Sequence, residues 1–147
     1  MAVRDTSKKP YIADRDTNVF VGIDYPFRRS EGVEGWFAST ESTLAAVKQN
    51  VKMLLSTSRG ERYMQPNLGL NLRRFLFEPF TDDIRIAIEN EIVDGFQMWL
   101  PFVEIRDIKI STIDDQLYGK NTIGISVIFN IVRDPSSLES VQVNIGE

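Results

Sequence analysis

The chain has 147 residues, a net charge of −4, and neither histidine nor cysteine. That length suits one domain burying roughly 68–70% of its unfolded surface, and the acidic balance argues against nucleic-acid binding. The missing cysteine removes disulfides, thiolate metal sites and thiol nucleophiles; the missing histidine removes the commonest general base, the usual transition-metal ligand and the Ser-His-Asp and Cys-His arrangements.

Residues 1–18 carry mixed charge and few large apolar side chains, and they read as an N-terminal arm that only a partner would order. This arm lacks the apolar core of a signal peptide. No run approaches the roughly eighteen apolar residues that span a bilayer. The sequence therefore predicts a soluble protein made in a cytoplasm, with no membrane partner. Residues 19–147 form the expected single domain.

Val19, Val21 and Ile23 alternate as a short strand, stopped by Pro26. "EGVEGW" reads as a loop leading into a helix. In "STESTLAAVKQNVKMLLSTS", Leu44, Val47, Val51, Leu54 and Leu55 fall on one face at spacings of three and four. Thr40 or Ser42 is its expected cap, and Gly60 lies past its end, where a left-handed residue is often needed.

"SRGERYMQPNLGLNLRRFLFEPF" comes next, broken into turns by Gly60, Pro66 and Gly69. Its "NLRRFLFEP" part offers one or two helical turns, with Leu72, Phe75 and Leu76 inward and Pro79 as the stop. "TDDIRIAIENEIVDGFQMWL" is the second long helix. Thr81 or Asp82 caps it, Asp82 and Asp83 suit the positive end of its dipole, and Ile84, Ile88, Ile92 and Phe96 form its stripe. Gly95 costs a helix about 1 kcal/mol relative to alanine, which suggests close packing there.

The rest reads as strand. Val103 and Ile105 alternate, then Ile108 and Ile110 resume in opposite phase, which predicts a bulge near Arg106–Asp107. "DDQLYGKN" is a turn or hairpin loop. Ile123, Ile125, Val127, Phe129 and Ile131 share one face of the next strand, whose other face is only partly polar. "RDPSS" is a turn, and Val141, Val143 and Ile145 are in phase on the last strand. Runs of helix followed by runs of strand predict an α+β fold: two long helices and a short one on a mainly antiparallel sheet, ending in a three-stranded meander.

Three features invite a chemical reading. Glu61 and Glu78 could form the carboxylate pair of a glycosidase, although a salt bridge or a backbone-capping carboxylate is the simpler account. Asp82, Asp83, Asp114 and Asp115 are explained by a helix start and a turn; no metal-binding spacing accompanies them. Arg59, Arg62, Arg73 and Arg74 lack a glycine-rich phosphate loop, so they are either paired within the chain or placed for a protein interface. Trp36, Phe37, Trp99 and Phe102 are expected in the core, with outward presentation open for Phe102. No cofactor or metal is expected. The last strands raise an edge question: the second face or edge is covered by the chain, or the edge pairs with another chain.

The order "KQNVKMLLSTSRGERYMQPNLGLNLRRFLFEPFT", a helix ending in aromatic-x-Pro, and a meander with "FNIVRDPSSLESVQVNI" resembles the small wedge protein of contractile phage baseplates. That family is also called the sheath initiator, carries an old "baseplate lysozyme" label and has a type VI secretion relative. The likeness runs from about Ile23 to Ile145. It is most specific in the "RGERYMQPNLG…LFEP" block and in the "RDP" turn.

The resemblance implies a non-enzymatic virion component, assembled in the host cytoplasm into the tail baseplate. Its expected partners are the larger wedge proteins of the core bundle and the tail sheath subunits, with tube or hub proteins as further candidates. It also implies that the C-terminal strands template the first sheath ring by strand addition, through the edge formed by Ile123, Ile125, Val127, Phe129, Ile131, Val141, Val143 and Ile145. The family typically carries Glu-Pro-Arg where the second long helix meets the meander, and docks there on the core bundle. Here Leu100, Pro101 and Phe102 stand at those positions, so docking is expected through an apolar plug, or through Arg59 and Arg62. A muramidase-like peptidoglycan hydrolase and a type VI baseplate component are the alternative readings.

Overall fold

The computed structural model describes residues 21–24, 27–29, 36–40, 42–115, 120–132 and 134–146. The arm expected at 1–18 lies outside them, as do Val19 and the strand stop at Pro26. Two short strands come first: β1 (Gly22–Ile23) pairs antiparallel with β2 (Ser39–Thr40). This small ribbon is separate from the main sheet. β2 takes residues that the helical pattern had claimed, because the helix starts only at its cap.

Helix α1 (Thr43–Ser56) is capped by Ser42, whose Oγ accepts from the Ala45 N–H at 3.2 Å. Thr40, the other candidate cap, is buried in β2. The helix buries Val47, Val51, Leu54 and Leu55 and stops at Thr57, whose N–H and hydroxyl both donate to the Met53 carbonyl. A short 3-10 helix over Leu72–Phe77 turns Leu72, Phe75 and Leu76 inward, as the sequence predicts. Helix α2 (Asp82–Trp99) begins at Thr81, whose Oγ1 accepts from the Ile84 N–H, and buries Ile88, Ile92, Gly95 and Phe96.

Strands β3 (Val103–Asp115), β4 (Lys120–Ile131) and β5 (Asp134–Gly146) form an antiparallel meander in the order β3-β4-β5. The strands extend to Asp115, Lys120 and Asp134, into the stretches expected as turns, while residues 116–119 and 133 lie outside the described residues. The predicted bulge is present: the register slips between Ile105 and Asp107, leaving Arg106 as the extra residue.

The inner face of the sheet carries Val103, Ile123, Ile125, Val127, Phe129, Ile131, Val141 and Ile145. They join the buried faces of α1, α2 and the 3-10 helix in one core. At about 25 cal/mol per Å² of apolar surface removed from water, this shared layer is the main stabilising term. The outer face is largely polar and holds one fully buried amide. Arg106 Nε donates to Asn130 Oδ1 at 2.7 Å, Asn130 Nδ2 donates to Glu104 Oε2 at 3.3 Å, and Arg106 Nη2 lies 3.1 Å from the same Glu104 oxygen. The bulge re-aims Arg106 so that it covers and satisfies Asn130.

Candidate functional site

The segment from Ser58 to Phe80 forms a clasp between α1 and α2. Gly69 approaches the end of α1 so closely that a Cβ there would stand 2.4 Å from the Thr57 carbonyl oxygen. Its φ of +111° is also in the left-handed region. The same carbonyl accepts from the Leu70 N–H at 2.9 Å. Gly60, at φ +86°, donates its N–H to the Pro66 carbonyl and closes the first loop. Leu70 then reaches α2 at Gly95, where a Cβ would lie 2.1 Å from Leu70 Cδ2. Gly95 is thus the close-packing point that its helical position suggests.

Glu91 on α2 ties the clasp down. Its carboxylate lies 3.2 Å from Arg59 Nη2 and 3.2 Å from Arg74 Nη2, and it accepts from the Asn71 N–H at 3.4 Å. Arg59 Nε also donates to the Gly69 carbonyl. Arg59 and Arg74 are therefore structural ties. Arg62 is exposed; its carbonyl accepts from the Gln65 N–H at 3.2 Å, but its side chain has no hydrogen bond or ion pair among the described residues. Glu91 was not among the residues singled out from sequence. Its neighbours Ile88 and Ile92 marked only the apolar stripe beside it, and its partners lie on another element.

The two glutamates are not brought together. Glu61 Oε2 accepts from the Ser58 N–H at 2.9 Å, the backbone-capping role expected as the simpler reading. The cleft that Glu61 lines, about 290 Å³ between the clasp and the end of β5, has no second carboxylate in its wall among the described residues. Glu78 is exposed and lines none of the described cavities. Among the described residues no group of three acidic side chains could hold a metal ion, and no helix is long and apolar enough to cross a membrane.

At the α2–β3 corner, Leu100 and Phe102 part company. Leu100 is 7% exposed and belongs to the core, so the expected apolar plug reduces to Pro101 and Phe102. Phe102 is 42% exposed; its carbonyl accepts from the N–H of Val132, itself an exposed apolar residue. Trp36 and Phe37 are also exposed rather than in the core. Arg29 lies over the Trp36 ring, and Phe37 stacks edge-on with Phe27.

The sheet corrects the expected edge. β4 pairs with β3 on one side and β5 on the other. Ile123, Ile125, Val127, Phe129 and Ile131 therefore sit on the central strand, with no open ladder to offer. Val141, Val143 and Ile145 do lie on an edge strand, since β5 has one partner among the described residues. Its pairing is regular from Leu138 to Gly146. The other edge strand, β3, carries the bulge and the charged side chains of Arg106, Asp107 and Lys109.

A family model described as baseplate wedge protein gp25 matches residues 41–136. The chain belongs to that family. It is a baseplate wedge protein of contractile tail systems, and the resemblance read from its sequence holds. No curated protein matches the wedge protein significantly.

Solved structures share its fold. A protein from Geobacter sulfurreducens whose name carries the words tail lysozyme is 20% identical, with TM-score 0.56, covering 72% of this chain and 92% of its own. A chain of the anti-feeding prophage baseplate is 23% identical, with TM-score 0.54 and coverage of 82% and 79%. A chain of the type VI secretion system baseplate complex is 13% identical, with TM-score 0.51 and coverage of 70% and 92%. The matching family is one of baseplate structural proteins, in keeping with the non-enzymatic reading.

Proposed function

We propose that the wedge protein docks on the core bundle of larger wedge proteins and offers β5 as the strand on which the first sheath subunits pair. The observation that carries this reading is the contrast between the two sheet edges. Proteins blunt edges that must stay unpaired with bulges and charges. β3 carries both. β5 runs in unbroken register from Leu138 to Gly146 and has Ser140, Gln142 and Asn144 exposed along it. Its nearest charge on the inner side, Glu139, is tied to Lys48 of α1 at 3.0 Å. An added strand would gain main-chain hydrogen bonds along this edge.

Docking on the core bundle falls to Pro101 and Phe102, with Val132 beside them. An apolar contact of this kind calls for a hydrophobic pocket on the partner and depends little on salt. The protein would assemble in the host cytoplasm into the virion baseplate, or into the equivalent secretion-system baseplate.

Proline at two successive β5 positions tests strand addition. In an antiparallel ladder, adjacent residues point their N–H groups to opposite sides. One of Gln142→Pro and Val143→Pro therefore breaks the pairing with β4, and the other removes only an outward N–H. The variant that keeps the native circular-dichroism spectrum is expected to give baseplates without attached sheath in electron micrographs. Normal sheath on those baseplates would contradict the proposal.

A further inference from the structure

Between α1, the clasp and the end of α2 lies a cavity of about 270 Å³. Met53, Leu54, Leu68 and Leu100 supply its apolar wall, and Trp99 and Arg62 line it too. Both of these carry donors left unused among the described residues. The Trp99 indole Nε1–H is buried and has no hydrogen-bond partner among them. The Arg62 guanidinium has no ion pair among the described residues, because the neighbouring Glu61 carboxylate is turned to the Ser58 N–H. Beside the cavity, Arg62 also borders a depression rimmed by Tyr63 and Met64, which are 96% and 86% exposed.

Buried polar groups in folded proteins almost always find partners, so an orphan donor calls for an explanation. A free guanidinium next to it favours an anionic acceptor, which it binds in a forked geometry. The apolar wall asks for an aliphatic group in the same ligand. Exposed tyrosine and methionine at the rim, with arginine and tryptophan within, match the composition of protein interface centres. Met53, unbranched and flexible, is the wall residue best able to move aside and open the indole N–H to a ligand.

We infer that this cavity is a docking site for a segment of a neighbouring protein chain that presents an aliphatic side chain next to a carboxylate. The aliphatic group fills the space against Leu54, Leu68 and Leu100. The carboxylate pairs with Arg62 and accepts from the Trp99 indole. This site adjoins the Pro101–Phe102 corner, since Trp99 and Leu100 line it, and it has no β5 residue in its wall among the described residues. Its occupancy is read on the isolated protein and depends on neither.

The test uses the tetrapeptide acetyl-Gly-Leu-Asp-Gly-amide as probe, titrated into the nitrogen-15-labelled full chain. The two tryptophan indole N–H signals are separated by a Trp36→Phe variant. A saturable shift of the Trp99 signal is expected, with the Trp36 signal unmoved. The Asn-for-Asp peptide, and the Arg62→Gln variant with the original peptide, are each expected to bind about tenfold more weakly or worse, the loss of one charge-assisted pair. Trp99→Phe should weaken binding while the variant stays folded, with a lower thermal midpoint because the smaller ring leaves a gap against the core. Absence of a saturable Trp99 shift, or equal binding by the Asn peptide or by Arg62→Gln, would overturn the inference.

Discussion

Gly95 sets two effects of comparable size against each other. Alanine gains about 1 kcal/mol of helix propensity over glycine. Its Cβ, however, would meet Leu70 Cδ2 at 2.1 Å, and Leu70 is itself held in the core. Overpacking of that kind costs about 1–3 kcal/mol, so Gly95→Ala is expected to destabilise by up to about 2 kcal/mol in urea unfolding. In a Leu70→Ala background the sign should reverse, because the obstruction is gone and the propensity gain remains.

Gly69 and Gly60 make a second contrast. Both hold positive φ, but a Cβ at Gly69 strikes backbone, whereas a Cβ at Gly60 meets open space. Gly60→Ala should cost about 1–2 kcal/mol for the left-handed conformation alone, and Gly69→Ala distinctly more. At Glu91, two half-exposed arginines and one backbone N–H converge on a carboxylate that is itself 14% exposed. Glu91→Ala is expected to cost about 1–2 kcal/mol at low salt, and less at high ionic strength, where the exposed guanidiniums are screened.

The elements themselves were largely legible in the sequence. Helical periodicity placed α1 and α2, and the Thr81 and Ser42 hydroxyls marked their starts. The phase slip after Ile105 announced the bulge at Arg106, since alternation fixes which face a side chain takes. Alternation does not say which strand lies in the middle. The long apolar pattern of β4 suits an edge that invites a partner and a centre flanked by two strands equally well, and only the pairing decides. The consequence is testable. Val127 is fully buried and paired on both sides, so Val127→Pro should cost about 3 kcal/mol or more and lower the thermal midpoint of the protein sharply. It should not yield a folded subunit that merely fails to bind sheath.

For the whole molecule, the surface mattered more than any cleft, and the sequence said less about it. Arg59 and Arg62 are three residues apart and looked equivalent. The fold ties Arg59 to Glu91, while the Arg62 side chain lies near the end of α2, at Trp99, with no ion pair among the described residues. Leu100 and Phe102 flank the same proline, yet one faces the core and the other faces out, as the corner between α2 and β3 turns. Trp36 and Phe37 looked like core residues because large aromatics usually are; among the described residues they lie outside the shared core, against Arg29 and Phe27.

The central claim is that this subunit initiates sheath by lending the β5 edge. The most direct measurement is a cryo-EM reconstruction, at side-chain resolution, of the assembled baseplate with its first sheath ring. The account predicts a sheath strand hydrogen-bonded along Leu138–Gly146, with β3 left unpaired on its outer side. A first ring whose strands pair with β3, or that meets this subunit with β5 uncovered, would contradict it.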